Sequence, residues 1–314
     1  MTGIEMPLVC PGCRVGLPPV AAWPADGVVC AGCGGVYRCQ AGVPCFVDTD
    51  GYTGSFTFEW LRYRRTQLDG GVGGESERTF RDKTGLTPEQ VHGKRILDAG
   101  CGMGRFAEVA SRWGGQVVAV DLSRAVEAAH ENLAARGNVF VCQADLLQLP
   151  FPEESFDLIY SLGVLHHTPD CEGAFRHLIR YLAPGGRIVI WVYADDGGMG
   201  IRCSDFYRRF TTKMPAQVLY RLAHLAIPCY YFLKIPLIGR RLWSLVPMSE
   251  HPNPEWRVLD TFDWYSPRYQ SKHTYPEVEG WFQSEGLVEI QRLGVPVAVS
   301  GLKTIQGGTR IHAT

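Results

Sequence analysis

The chain has 314 residues, of which 46% are hydrophobic and 20% charged, with a formal net charge of −1. This length accommodates one large α/β domain with an appended module, and the composition is that of a folded globular protein. The near-neutral charge excludes a global field that recruits nucleic acid, so any basic patch must be local.

The amino-terminal segment 1–48 holds six of the 11 cysteines. Four of them form two C-x2-C pairs separated by sixteen residues: Cys10, Cys13, Cys30 and Cys33. Each pair brings two thiolates to one turn, and four thiolates close a tetrahedral site with no position left for chemistry. The spacing therefore predicts a structural zinc site, whereas Cys39 and Cys45 are interpreted as small buried core residues.

The first residues show no basic region followed by an apolar core, so we expect no signal peptide. Clustered cysteines without a secretion signal favour a reducing cytoplasm. The apolar stretch 222–233 is short and contains His224 and Pro228, so we expect no membrane span. The chain is predicted to be cytoplasmic, with peripheral membrane contact left open.

Residues 49–92 mix aromatic and basic side chains and are interpreted as a helical connection to the main domain, 93–314. Within 93–194, short apolar runs alternate with helical patterns, which predicts strands at 95–98, 116–120, 139–143, 156–161 and 187–193. Strands separated by helices indicate an α/β fold with a parallel sheet covered on both faces. Such sheets bind ligands at the carboxyl ends of their strands, where the motifs below fall.

The segment 98–104 (Asp-Ala-Gly-Cys-Gly-Met-Gly) follows the first predicted strand and opens a helix. Glycines let the backbone approach a ligand closely, and a helix N-terminus offers free N–H groups. A nicotinamide-binding fingerprint needs glycine three positions after Gly102, but Arg105 stands there. The acid Asp98 suits a cationic amino-acid ligand better than a pyrophosphate.

Two further acids end the next two strands. Asp121 is placed to accept hydrogen bonds from ribose hydroxyls, and Asp145, beside Leu146, is placed to contact an adenine amino group. Each acid alone is equally well explained as a cap of the following helix. The ordered set makes the ligand interpretation stronger, and Ser123 is predicted to cap the next helix, which runs to Arg136.

Further motifs follow in order at 121–123, 143–145, 149–151, 155–157, 164–167 and 182–186. Together with 97–104 they resemble the class I S-adenosylmethionine-dependent methyltransferases, in particular the subgroup containing the ubiquinone-biosynthesis enzymes. The resemblance implies a Rossmann-like seven-stranded sheet whose last strand is antiparallel, with 275–285, 287–293 and 297–306 as the final helix and strand pair. It also implies S-adenosyl-L-methionine as cofactor, bound by Asp98, Gly100, Cys101, Gly102, Gly104, Asp121, Leu122, Asp145, Leu146 and Leu162.

The zinc segment has a resemblance of its own. Residues 8–11, 30–33, Tyr37 and 42–44 are similar to the small zinc-ribbon activator proteins that partner tRNA, rRNA and release-factor methyltransferases. The resemblance implies that this chain carries in cis a module that elsewhere docks as a separate protein.

Methyl transfer is an in-line displacement, so positioning of the nucleophile supplies much of the rate, and some nucleophiles also need a base. His166 and His167 follow the fourth strand and are the candidate catalytic residues, with Asp170 as an orienting group. The alternative is that they form a polar turn.

The segment 195–273 is interpreted as a lid-like insertion, apolar and basic, without an acidic residue between Asp205 and Glu250. It suits an anionic amphiphilic acceptor, such as a prenyl phosphate, or contact of 206–249 with an anionic membrane. A helical cap or a homo-oligomer interface explains it equally well. Residues 256–273 are predicted to be a loop that lines the acceptor site, with Asp263, Trp264, Tyr265, Tyr269, Lys272 and His273 as candidates.

Three functions remain open. The first is methyl transfer to a small hydrophobic or anionic acceptor in lipid, glycan or secondary-metabolite biosynthesis. The second is an rRNA or tRNA methyltransferase whose zinc ribbon and basic insertion hold RNA; residues 161–164 lack the Asn/Asp-Pro-Pro-aromatic signature of many amino-methylating enzymes. The third is a cofactor-binding interaction module without catalysis.

Overall fold

The structure is a computed structural model that describes residues 4, 6–48, 51–66, 68–69, 74–235 and 238–305. Its strands are β1 (Leu8–Val9), β2 (Gly16–Leu17), β3 (Val28–Val29), β4 (Val36–Gln40), β5 (Val43–Cys45), β6 (Arg95–Ala99), β7 (Gln116–Asp121), β8 (Val139–Gln143), β9 (Phe156–Leu162), β10 (Leu182–Trp191), β11 (Val288–Arg292) and β12 (Ala298–Leu302).

The helices are α1 (Gly54–Arg62), α2 (Glu75–Thr84), α3 (Pro88–Val91), α4 (Arg105–Arg112), α5 (Ala125–Leu133), α6 (Cys171–Ile179), α7 (Met199–Thr211), α8 (Ala216–Ala223), α9 (Ala226–Leu233), α10 (Ile238–Leu245), α11 (Pro254–Tyr265) and α12 (Tyr275–Ser284). Short 3-10 turns occur at Val20–Ala22 and Leu165–His167. None of the helices among the described residues combines the length and apolar character needed to cross a bilayer.

The central sheet has the strand order β11-β12-β10-β9-β6-β7-β8-β5-β4-β3. Strands β6 to β10 are parallel to their core neighbours, and β12 runs antiparallel between β10 and β11. The predicted α/β class I methyltransferase sheet is therefore confirmed, including its antiparallel last strand. The predicted end of that strand, Gln306, lies outside the described residues.

The core strands are apolar throughout because helices cover both faces of the sheet. Successive side chains alternate between the faces. Leu97 joins the cluster that contains Phe282 of α12, whereas Ile96 joins the opposite cluster, which contains Phe80 of α2. This double layer holds the carboxyl ends of the strands at one edge.

The cysteine-rich segment is joined to the sheet rather than tethered by a linker. Cys45 of β5 pairs in parallel with Gln143 of β8, so β3 to β5 continue the sheet. The Arg14 guanidinium donates to the carbonyl oxygens of Leu149 (2.8 Å) and Phe151. The zinc module thus contacts the region that follows β8.

Two local predictions were wrong. Residues 256–265 are not a loop but belong to α11, where the Asn253 side chain accepts hydrogen bonds from the first N–H groups and Val258, Phe262 and Tyr265 are buried at helical spacing. Ser123 lies at the start of α5 as predicted: its buried hydroxyl accepts from the N–H of Ala125 (3.2 Å), the first residue of the helix, and donates to Asp121.

The second wrong prediction concerns the cysteines outside the C-x2-C pairs. Cys39 is exposed on β4, whereas Cys45 is buried as expected. Its neighbours Arg38 and Gln40 are exposed as well, so this end of β4 contributes little to the core.

Candidate active site

A cavity of about 590 Å³ lies at the carboxyl ends of the core strands. One wall is built from the residues that follow β6, β7, β8 and β9. The opposite wall is built from α1, α2, α7, α10 and α11. One continuous space therefore joins the glycine-rich loop to the helices of the insertion.

The glycine loop is closely packed. Gly100 has φ 92°, and a Cβ atom there would lie 2.4 Å from the Val164 side chain. Gly102 has φ 52°, and its Cβ would lie 3.3 Å from Nε1 of Trp60 on α1. Both positions combine a left-handed backbone with a close neighbour, so any larger residue would fill the cavity edge or displace that neighbour.

Asp121 joins the glycine loop to the loop after β7. Its Oδ2 accepts from the Gly102 N–H (2.9 Å), and its Oδ1 accepts from the N–H (2.8 Å) and hydroxyl (2.6 Å) of Ser123. Burial raises the pKa of Asp121. A carboxylate has about four acceptor positions, so one stays available on the cavity side.

Asp145 lies after β8, and its Oδ1 accepts from the Leu147 N–H (2.9 Å). Its side chain lines the cavity together with Leu146, and Leu122 and Leu162 line it from the neighbouring loops. The wall therefore alternates carboxylates with apolar side chains, as expected of a site for a nucleoside.

A profile of the family described as methyltransferase domain matches residues 97–190. Phosphoethanolamine N-methyltransferase 1 of Zea mays is 33% identical over 144 residues, which cover 44% of this chain and 28% of that protein. Sterol 24-C-methyltransferase erg6 of Schizosaccharomyces pombe is 25% identical over 224 residues, 69% of this chain and 55% of that protein. The chain thus spans less than two thirds of either relative.

Among solved structures, the S-adenosylmethionine-dependent methyltransferase of Mesorhizobium loti is 34% identical. The match covers 38% of this chain and 55% of that one, with a TM-score of 0.30.

Residues 97–190 match a methyltransferase domain, and the sheet that carries them has the strand arrangement predicted from the resemblance to class I S-adenosylmethionine-dependent methyltransferases. The matched residues extend from β6 to β10 and include the whole wall that carries the glycine loop and the strand-end acids.

Eight of the ten cofactor residues predicted for this domain line the cavity: Gly100, Cys101, Gly102, Asp121, Leu122, Asp145, Leu146 and Leu162. Gly104 and Asp98 do not. A Cβ at Gly104 would lie 2.9 Å from Leu133, so this glycine allows α5 to pack closely. Their contribution to cofactor binding stays a prediction.

Asp98 is 2% exposed, and its Oδ2 has no hydrogen-bond partner among the described residues. Burial, with the charge of Asp121 in addition, raises the pKa of Asp98 to about 8. A buried carboxyl without a full set of partners fits a nearby cationic group, and S-adenosylmethionine carries an ammonium and a sulfonium. The acids and the glycine cradle therefore fit this cofactor.

The two candidate histidines of the methyltransferase domain differ in placement. His166 is fully buried outside the cavity lining, and its ring stacks on Tyr193 at a centroid distance of 3.8 Å. His167 lines the cavity, with Nδ1 3.0 Å from the Tyr269 carbonyl oxygen. Since a carbonyl only accepts, Nδ1 carries the proton and Nε2 is an acceptor. Burial lowers the pKa of His167 to about 4, which makes it a weak base.

The predicted acceptor residues divide evenly. Asp263, Trp264 and Lys272 line the cavity. The other three support it from behind: Tyr265 donates to the Pro247 carbonyl (2.6 Å), the His273 ring lies between Ser271 and Glu277, and Tyr269 provides the carbonyl that orients His167.

Several lining residues were missed by the sequence analysis: Phe56, Glu59 and Trp60 on α1, Lys83 on α2, Trp191 and Tyr193 at the end of β10, and Asp260 on α11. The helical spacing of Phe56 and Trp60 was the available signal. No sequence signal identifies Lys83 as a lining residue, because only tertiary packing brings α2 to the cavity.

The predicted zinc ligands lie together at the opposite end of the chain. The four Sγ atoms of the C-x2-C pairs are within 4.8 Å of one another, with separations of 3.5 Å (Cys10 and Cys33) and 3.4 Å (Cys13 and Cys30). The edge of a tetrahedral zinc–thiolate site is about 3.8 Å. The donor set therefore fits zinc, and Cys39 and Cys45 do not belong to any such group among the described residues.

Proposed function

We propose that the chain transfers a methyl group from S-adenosylmethionine to a small or lipid-like acceptor bound in the same cavity. The observation that carries the proposal is the continuity of the space: the glycine loop and Asp121 lie on one side, and Trp191, Tyr193 and Trp264 on the other. When bound, the cofactor supplies an electrophilic methyl group on a sulfonium. The chain's own contribution is to hold the acceptor close, exclude water and accept a proton.

The cavity lining supports an acceptor with apolar surface. Aromatic side chains form much of the wall, and Lys272 is its only basic residue from the described part of the insertion. The phosphoethanolamine and sterol methyltransferases found as relatives act, by their names, on phosphoethanolamine and on a sterol. An anionic group of the acceptor would lie toward the outside of the insertion, because its other basic residues are not in the cavity lining and Lys272 forms an ion pair with Asp205.

The outer face of α7 to α10 suits contact with an anionic amphiphile or membrane surface. We call this the lid surface. Its apolar side chains are exposed, in particular Phe206, Phe210, Val218, Leu222, Leu225, Tyr231 and Phe232. Its exposed basic residues are Arg209, Lys213, Arg221, Lys234 and Arg241. An apolar surface with basic residues and no acid between Asp205 and Glu250 binds anionic interfaces by burial and charge together.

The cysteine site is proposed to hold zinc in a structural role. Four thiolates leave no open coordination position, so the metal stabilises the ribbon and takes no part in methyl transfer.

The proposed function is tested with the purified chain and methyl-labelled S-adenosylmethionine, offered a lipid extract, a polar small-molecule extract and total RNA. We expect the label to appear in a small-molecule or lipid fraction. In a separate experiment, we expect the chain to co-sediment with phosphatidylcholine vesicles only when these contain phosphatidylglycerol. The double variant Tyr231→Ser/Phe232→Ser should lose vesicle binding, whereas Val288→Ser, exposed on β11, should not. Label in RNA, with salt-dependent RNA retention, would support the RNA alternative instead. Cofactor binding without label in any fraction would support a non-catalytic module.

A further inference from the structure

The acceptor end of the cavity carries three carboxyl groups from two separate helices. Glu59 lies on α1, and Asp260 and Asp263 lie on α11. We call these residues the acidic triad. Lys83 from α2 and Arg105 from α4 line the same space, whereas a third basic lining residue, Lys272, forms an ion pair with Asp205. With all groups ionised, three carboxylates face two cations, so one negative charge has no counterpart in this part of the lining.

Glu59 shows that the triad lacks a partner. Its side chain is 1% exposed, lines the cavity, and has an Oε2 atom with no hydrogen bond among the described residues. Burial, together with the charges of Asp263 and Asp260, raises the pKa of Glu59 well above its ordinary value. A buried carboxyl without a partner destabilises the protein, and a ligand that donates hydrogen bonds removes that penalty.

The two aspartates are each held through one oxygen. The Ser249 hydroxyl donates to Oδ2 of Asp260 (2.9 Å), and the Tyr193 hydroxyl donates to Oδ2 of Asp263 (3.0 Å). No hydrogen bond to either Oδ1 is found in the described part of the chain. The triad therefore presents fixed carboxylates with free acceptor positions, which is the arrangement that binds N–H groups.

The aromatic walls already accommodate an alkyl amine, the side chain of Lys83, whose pKa is lowered by burial to about 7. Nζ of Lys83 lies 3.2 Å from the ring centroid of Trp191, and no ion pair within 4.0 Å joins it to the triad among the described residues. Ring faces attract cations, most strongly where water is excluded. Phe56, Trp60 and Trp264 line the same cavity, so a second cation would find aromatic faces beside the carboxylates.

We infer that the acceptor presents an amine to the acidic triad and that Asp263 accepts the proton that this amine must lose. The inference rests on the proposed function. The protonated amine transfers one proton to the Asp263 carboxylate, and its freed electron pair forms the new N–C bond. The bond from the methyl carbon to sulfur breaks with its electrons left on sulfur, so the product is a methylated ammonium.

Asp263 is better suited to this proton transfer than His167. Burial raises the pKa of Asp263 to about 6, whereas burial lowers that of His167 to about 4. A base with the higher pKa accepts a proton more readily, provided that it is ionised at the working pH. Tyr193 orients the carboxylate and is a positioning residue.

The test compares two probes with the same chain, n-octylamine and n-octanol. Each is titrated into the full protein with and without S-adenosylhomocysteine, and binding is followed by the fluorescence of the cavity tryptophans. We expect the amine to bind about tenfold to a hundredfold more tightly than the alcohol. Glu59→Gln and Asp263→Asn should each remove most of this preference without weakening the alcohol. Glu255→Gln, exposed on the same helix as Asp263, is the matched control and should leave it unchanged.

Equal affinity of the wild-type protein for the two probes would overturn the inference, and this comparison needs no variant to fold. A preference that survives in both variants would overturn it as well. If the triad instead balances the sulfonium, Glu59→Gln would weaken S-adenosylmethionine relative to S-adenosylhomocysteine and leave the amine preference intact, which also contradicts it. Failure of the proposed function shows separately, as absent binding of S-adenosylhomocysteine to the wild type.

Discussion

The two walls of the cavity are built on different principles. The sheet-side wall uses backbone conformation and strand-end acids from one continuous segment, β6 to β9. The helix-side wall uses side chains of α1, α2, α7, α10 and α11, which are far apart in the chain. A wall made from backbone binds an invariant ligand and tolerates little change. A wall made from side chains can be altered residue by residue to suit another acceptor.

Removing the metal from the zinc ribbon should cause the largest loss of stability. The sheet-side wall of the cavity should be affected first. The ribbon joins the sheet at β8, where the Phe46 N–H donates to the Gln143 carbonyl (2.8 Å), two residues before Asp145. We expect Cys33→Ser to lose the bound zinc and to lower Tm by several degrees, because the metal's binding energy is folding energy. Elemental analysis and thermal unfolding measure both.

Cys39→Ser is the matched control for the metal prediction, since Cys39 lies outside the four-thiolate group. It should keep one zinc per chain and an unchanged Tm. A Cys33→Ser protein with full metal content would contradict the assignment.

Substituting alanine for a glycine of the sheet-side wall tests whether the glycine loop is tightly packed. Gly100→Ala places Cβ 2.4 Å from Val164 at φ 92°, and we expect a loss of about 1–3 kcal/mol in the free energy of unfolding, with weaker cofactor binding. Gly137→Ala has open space around its Cβ and should change neither quantity. Chemical denaturation of the two variants decides this, and equal stability would show that the glycine loop is not tightly packed.

The protonation state of Asp98, the buried acid beneath the glycine loop, should affect both the stability of the protein and the number of protons released on cofactor binding. With its pKa raised to about 8, Asp98 is mostly protonated in the free protein at pH 7. The native state then binds more protons than the unfolded chain between about pH 4 and 8, so the contribution of this group to stability declines as the pH rises.

If Asp98 interacts with the cofactor ammonium, its ionised form is favoured on binding, and close to one proton should be released at pH 7. Calorimetric titrations with S-adenosylhomocysteine in buffers of different ionisation enthalpy measure this number. Asp98→Asn should release none. An equal proton release by wild type and variant would place the titrating group elsewhere.

The difference between the walls also explains what the sequence could predict. The parallel core strands and the strand-end acids follow from alternating apolar runs and local motifs, which need no knowledge of distant contacts, whereas the antiparallel last strand was implied by the family resemblance. The lining positions of Glu59 and Lys83 could not be predicted, because no local pattern in α1 or α2 indicates which strand ends these helices cover. Residues 256–265 were interpreted as a loop because Trp, Asp and Tyr are mixed there, and their helical spacing becomes evident only with the buried face.

The most direct test of the central claim is a calorimetric titration of the full chain with S-adenosylhomocysteine. The account predicts one site per chain, weakened about tenfold to a hundredfold in Asp121→Ala, since a charged hydrogen-bond acceptor contributes about 1.5–3 kcal/mol. Asp157→Ala, which removes an acid near the amino end of β9 that is paired with Arg95, should leave the affinity unchanged. No binding by the wild type, or equal affinity in Asp121→Ala, would contradict it.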